Sequence, residues 1–153
     1  MSYVRRVLQP GETVVYATTL HWLVYLRAII LFLIAIGLAI GSLWAIGNGN
    51  LALLSAAALV GLLAISSGFR AWIRRTTTEL AVTDLRIIYK AGLLGRHTLE
   101  MNRSKVESVD VDQSLFGRMF GYGTVVVRGI GGSLEPMRNI RNPITFRSFI
   151  TAR

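Results

Sequence analysis

The chain has 153 residues, the size of one ordinary domain, yet 52% of them are hydrophobic and only 16% charged, and its mean hydropathy of +0.50 is too high for a water-soluble domain. It holds no cysteine, which excludes a disulfide framework, thiolate metal sites and thiol nucleophiles. A formal charge of +9 calls for polyanionic surroundings, either nucleic acid or an anionic membrane leaflet, and the placement of the charges decides between them.

Residues 1–27 form an N-terminal segment in which Glu12 to Thr18 alternates Val14 and Tyr16 against Thr13, Val15 and Ala17, the pattern of a strand able to join a later sheet. Ala28 to Ile46 and Leu51 to Phe69 then run 19 residues each without a charge. At about 1.5 Å per residue, each matches a hydrocarbon core of about 30 Å. Gly47-Asn48-Gly49-Asn50 between them reads as a tight turn, so residues 28–69 are expected to form a transmembrane hairpin of two antiparallel helices. A cleaved signal peptide does not fit the first span, which starts late, is too long and is followed at once by a second.

Arg5, Arg6 and Arg27 precede the first span and Arg70, Arg74 and Arg75 follow the second, while the turn carries no charge. The positive-inside bias therefore places both ends in the cytoplasm. Arg27, Arg70, Arg74 and Arg75, with His21, Trp22 and Trp72, are the expected membrane-surface residues, the rings acting as headgroup-zone anchors. Gly37 and Gly41 form a GxxxG pair suited to close packing between helices or between protomers.

After Thr76 short alternating runs replace the long apolar ones, and residues 76–153 are expected to form a mainly β domain. Glu79 to Val82, Arg86 to Tyr89, Arg96 to Met101 and Val106 to Val111 make a four-stranded meander. Val125 to Val127 forms a fifth strand, and Leu134 to Arg138 pairs back as a sixth. Asn142-Pro143 reads as a helix cap with proline at the first position, leading into Ile144 to Thr151. In Ser114 to Phe120, the side chains of Leu115, Phe116, Met119 and Phe120 fall on one side of a helical turn, with Arg118 apart. The expectation for this stretch is a plug over an open barrel end, and the alternative is a docking surface for a partner or for lipid.

Several of these residues carry a resemblance: Leu8-x-Pro10-Gly11-Glu12, His21-Trp22, Leu80-Ala81-Val82-Thr83-Asp84-x-Arg86, Gly92 within Lys90-Ala91-Gly92, Lys105-Val106-x-Ser108-Val109 and Gly117-x-x-x-Gly121-Tyr122-Gly123-Thr124. In order and spacing the chain resembles the bacterial pleckstrin-homology (PH) domain family, in particular its small two-span YdbS-like membrane proteins. The resemblance covers essentially the whole chain. It implies a seven-stranded PH-like barrel or sandwich closed by a C-terminal helix, a bacterial inner-membrane location, and neither enzymatic activity nor a cofactor.

Chemistry-bearing constellations are sparse. His21 and His97 are the only histidines, one before the first span and one in an expected strand, so no metal cluster or nucleophile-base pair assembles locally. Glu100, Glu107, Asp110 and Asp112, with Arg103 and Lys105 nearby, read as the solvated face of a sheet rather than as a catalytic carboxylate pair. Gly129 to Gly132 lies between strands, so it reads as a hairpin and not as a nucleotide fingerprint. Scattered cations without a recognition helix or aromatic RNA-binding pattern argue against nucleic acid. Eukaryotic PH domains grip inositol phosphates through a long basic loop between their first two strands. The Thr83-Asp84-Leu85 turn is short and acidic, so the expected lipid contact is non-specific, with an anionic leaflet.

The functional expectation is a membrane-anchored, non-catalytic scaffold or interaction module, homo-oligomeric through strand edges. An accessory subunit packed on another integral membrane protein is the alternative. A pore-forming transport oligomer ranks below both, because neither span holds an ionisable side chain.

Overall fold

The computed structural model describes residues 3–45, 49–93, 95, 97–130 and 134–152. Its elements are α1 (Tyr3–Val7), β1 (Val14–Thr18), a 3-10 turn (Trp22–Tyr25), α2 (Leu26–Trp44), α3 (Gly49–Thr77), β2 (Glu79–Thr83), β3 (Arg86–Ala91), β4 (His97–Asn102), β5 (Val106–Asp112), α4 (Leu115–Phe120), β6 (Tyr122–Gly129), β7 (Leu134–Arg141) and α5 (Pro143–Thr151). They fall into two units: a β body from residues 1–21 and 74–153, and a helical unit from residues 22–73.

In the β body two antiparallel sheets, ordered β1-β2-β3-β4 and β5-β6-β7, enclose one core. Alternation along the strands sends Leu80, Val82, Ile87, Val109, Val125, Val127, Met137 and Ile140 inward, where Phe146 and Ile150 of α5 close the stack. Tyr16 stacks on Phe149 of that helix at 4.8 Å between ring centres. A bridge between Leu20 and Ile140 joins the end of the first sheet to the second. Arg103 holds the end of α5 by donating to the carbonyls of Phe149, Ile150 and Ala152. On the outer face of the first sheet, Val4 of α1 packs with Ala81 and Ile88, so the two middle strands are buried on both sides.

The N-terminal strand does join the sheet: Thr18 pairs with Leu80 and Ala17 with Ala81. This changes the reading of the loops. The connection between the first two strands is the whole segment carrying α2 and α3, whereas Thr83-Asp84-Leu85 turns β2 into β3. The Pro10-Gly11-Glu12 and Thr83-x-x-Arg86 motifs meet in one network. Arg86 grips Glu12 with two parallel bonds, Nε to Oε1 at 3.0 Å and Nη2 to Oε2 at 2.8 Å. Thr83 Oγ1 donates to Oε1 at 2.7 Å and the Gln9 amide to Oε2 at 2.8 Å. Arg86 also donates to the Val7 carbonyl and to Glu100. The Glu12 side chain is fully buried by this arrangement. The Arg86 bonds, aided by those of Gln9 and Thr83 and opposed by burial, hold its carboxyl at about 2 instead of 4.5.

The helical unit is an antiparallel pair with a seam of small side chains at heptad spacing, Ala28, Ala35 and Ser42 on α2 facing α3. A Cβ added at Gly61 would touch the Ala35 methyl at 4.0 Å, and one at Gly68 would touch Ala28 at 3.6 Å. Ala35, Ser42, Ala57 and Ala64 are buried, and most larger side chains of both helices point outward. Gly37 and Gly41 lie off this seam, with no atom within 4 Å of an added Cβ. The GxxxG pair therefore does not pack the two helices of one chain together.

Two local expectations are corrected. Gly49 and Asn50, read as half of a turn, are the first residues of α3, while Gly47 and Asn48 lie outside the described residues. Asn142 does precede α5 with Pro143 in its first turn, but it caps from a left-handed conformation (φ 50°) without a side-chain bond. Of the expected strand ends and hairpin, Arg96, Gly131 and Gly132 lie outside the described residues.

Glu12→Gln should lower unfolding stability by about 1.5–3 kcal/mol, because it removes the buried carboxylate charge from Arg86 and leaves it the Glu100 pair; chemical denaturation in detergent measures it. In the parent chain the folded-state carboxyl has the lower pKa, so its stabilisation is fully present above pH 4.5 and is lost as pH falls toward 2. In the helical unit Ala35→Leu should cost roughly 1–3 kcal/mol by overfilling the seam, while Gly37→Leu should leave the pair intact, as read by thermal melting of the helical signal.

Candidate functional site

The chain leaves the β body after His21 and returns to it at Arg74, and one end of the body is built around these two crossings. Thr18 Oγ1 donates to the Arg141 carbonyl at 3.0 Å, the Arg141 amide to Thr19 O at 3.2 Å, and the His21 amide to Asn139 O at 2.8 Å. His21, expected as a headgroup anchor, is instead only 6% exposed and stacks on Tyr122 at 5.5 Å between ring centres. Burial, then the charges of Arg141 and Arg75, push its pKa below 6.5, and a bond to the Phe120 carbonyl partly opposes them. The imidazole is thus a packing and hydrogen-bonding element of this corner.

Against this corner sits α4, which has a cap at each end. Ser114 Oγ accepts from the Gly117 amide at 3.0 Å, and Gly121 closes the helix in a left-handed conformation (φ 72°). Gln113 Nε2 donates to Gly117 O at 3.2 Å and to Tyr122 O at 2.9 Å. Gly117 is the buried residue of the helix: a Cβ there would lie 2.7 Å from the Tyr122 carbonyl, so only glycine lets α4 lie flat on the start of β6. Contact through a glycine turns the large side chains outward. Leu115 is 83% exposed, Phe116 66%, Met119 76% and Phe120 48%. They fill no barrel end, which overturns the expectation of a plug.

Trp22, Arg27, Arg70, Trp72 and Arg74 are exposed, Trp72 stacking near Phe69 at 5.9 Å and Arg70 donating to Ser66 Oγ at 3.3 Å. Arg75 is half-buried beside the His21 corner. Sequence reasoning missed the parts that fix α4, namely Gln113, Ser114, Gly117 and Tyr122. Ser114 before the apolar turn and Gly121 after it are readable cap signals, but the Gly117–Tyr122 approach is visible only in three dimensions. Among the described residues no three histidine, aspartate or glutamate side chains gather as metal ligands.

Residues 14–153 match the family model of the bacterial PH domain. The chain belongs to that family. The match begins at the first residue of β1 and includes α2 and α3, which separate β1 in sequence from its sheet neighbour β2. Two sheets of four and three antiparallel strands with a C-terminal helix are the PH-like architecture that the sequence motifs imply. No curated protein and no solved structure matches the chain significantly.

Within this PH domain Gly117→Ala should force α4 away from β6. The expected outcome is a several-fold rise in amide hydrogen exchange across residues 113–122, whereas Leu115→Ser, at an exposed position, should change stability by less than about 0.5 kcal/mol.

Proposed function

We propose that α2 and α3 cross the bacterial inner membrane as a hairpin and that the PH domain works at its cytoplasmic face as a non-catalytic scaffold, self-associating and in non-specific contact with anionic lipid. The observation that carries this reading is the insertion of two apolar helices between paired strands. Because Thr18 and Leu80 are partners, the hairpin must leave and re-enter the body at one edge, which favours an even number of crossings with both ends on one side. Arg27, Arg70, Arg74 and Arg75 flank the apolar stretches, so that side is the cytoplasmic one. The outward Leu, Ile and Phe side chains of both helices suit lipid and not water.

A second reading, an accessory subunit of a larger membrane complex, draws on Gly37 and Gly41, whose off-seam position leaves a close-packing face for a helix from elsewhere. Alkaline carbonate should leave the chain in the membrane pellet, and protease should digest the PH domain in inverted vesicles but not in intact spheroplasts. Crosslinking in native membranes should yield dimers or higher oligomers. A fixed stoichiometry with a foreign integral protein after mild-detergent purification would select the second reading, and release by alkali would refute both.

A further inference from the structure

We propose that α4 is a second membrane contact of the PH domain, with Leu115, Phe116 and Met119 seated in the interfacial zone of the anionic leaflet through which the hairpin enters. The inference rests on the membrane-spanning reading above. Four observations within the β body support it.

The first is position. The imidazole of His21 bonds the Phe120 carbonyl and stacks on Tyr122, and His21 is the residue immediately before the 3-10 turn that opens the first apolar helix. The end of the body that bears α4 is therefore the end from which the chain departs toward lipid and to which it returns at Arg74.

The second is shape. Three large apolar side chains, 66–83% exposed, project from one six-residue helix, and an apolar patch of this kind on a folded surface marks a contact site. The third is rigidity. Ser114, Gln113, Gly117 and Gly121 fix α4 on β6, so the patch is displayed without a folding step on contact. The fourth is charge, which favours lipid over an apolar protein groove. From Gln113 to Val127 the one charged side chain is Arg118, and from Pro136 onward every charged side chain is an arginine; Arg128, at the far end of β6, is paired with Asp110. Arg75 and Arg141 act on His21 at this same corner. Of the acids, Asp112 ends β5 opposite Thr124, and Glu79 at the start of β2 has its carboxylate engaged by the Tyr3 and Val4 amides. Apolar side chains flanked by arginines are the composition of an interfacial anchor on an anionic leaflet.

The absence of cysteine makes every introduced one a unique label. The full chain, as Phe116→Cys, Met119→Cys, Glu107→Cys or Leu59→Cys, is spin-labelled and reconstituted in vesicles of phosphatidylcholine with phosphatidylglycerol. Collision with oxygen, which partitions into lipid, is compared with collision with a nickel chelate, which stays in water. Labels at 116 and 119 should favour oxygen several-fold over the label at 107, and replacing phosphatidylglycerol with phosphatidylcholine should weaken that preference. Water-like values at 116 and 119 with a lipid-like value at 59 would overturn the inference and leave the hairpin standing. A water-like value at 59 would bring down the membrane reading and the inference with it. Shielding of 116 and 119 from both reagents would mean a protein covers α4, which also overturns the inference.

Discussion

The pairing of β1 with β2 is the constraint on which the rest of the architecture depends. These strands are neighbours in the first sheet although α2 and α3 separate them in sequence. Because they are antiparallel partners, the end of β1 and the start of β2 lie side by side, and whatever is inserted must begin and end at one point. An antiparallel helical pair satisfies that geometry, and its seam of Ala28, Ala35 and Ser42 against Gly61 and Gly68 lets the two backbones run close together. The buried Glu12–Arg86 pair ties the opposite end of β1 to the turn between β2 and β3. The discontinuous strand is thus held at both its ends.

How much of this is legible in the sequence depends on whether the signal is local. The strands from β2 to β7 announce themselves through alternation and turn residues, and the two helices through their lack of charge. Helix ends are less legible, because a span ends where charge begins while a helix ends where hydrogen bonding stops. Arg70, Arg74 and Arg75 are good helix formers, and α3 runs through them to Thr77. The short α1 is not legible although Tyr3, Val4 and Val7 have helical spacing, because five residues give little periodicity to read. The placement of His21 is hidden from the sequence for a related reason. Its neighbour Trp22 and the following apolar run point toward lipid, whereas its partners Tyr122 and Asn139 are about a hundred residues away.

At the candidate site the sequence shows which side chains are involved and not which way they face. Leu115, Phe116, Met119 and Phe120 share a helical side in either arrangement, as a plug or as a lip. The absent Cβ of Gly117 decides between them, by bringing the helix backbone onto the Tyr122 carbonyl. Burial of the smallest residue of α4 accounts for the exposure of its largest ones.

The split of the sheet also bears on biogenesis. During synthesis β1 emerges first and waits unpaired while the intervening helical segment is translated, roughly 3–12 s at 5–20 residues per second. Throughout that interval its edges are open to wrong partners, and Glu12 lacks its guanidinium. The sheet can close only once both helices have been made and residues 79–86 have left the ribosome, so translation of the whole helical segment precedes completion of the two-sheet body. A chain whose synthesis stopped within the helical segment would be left with an orphaned first strand, an open edge exposed to mispairing.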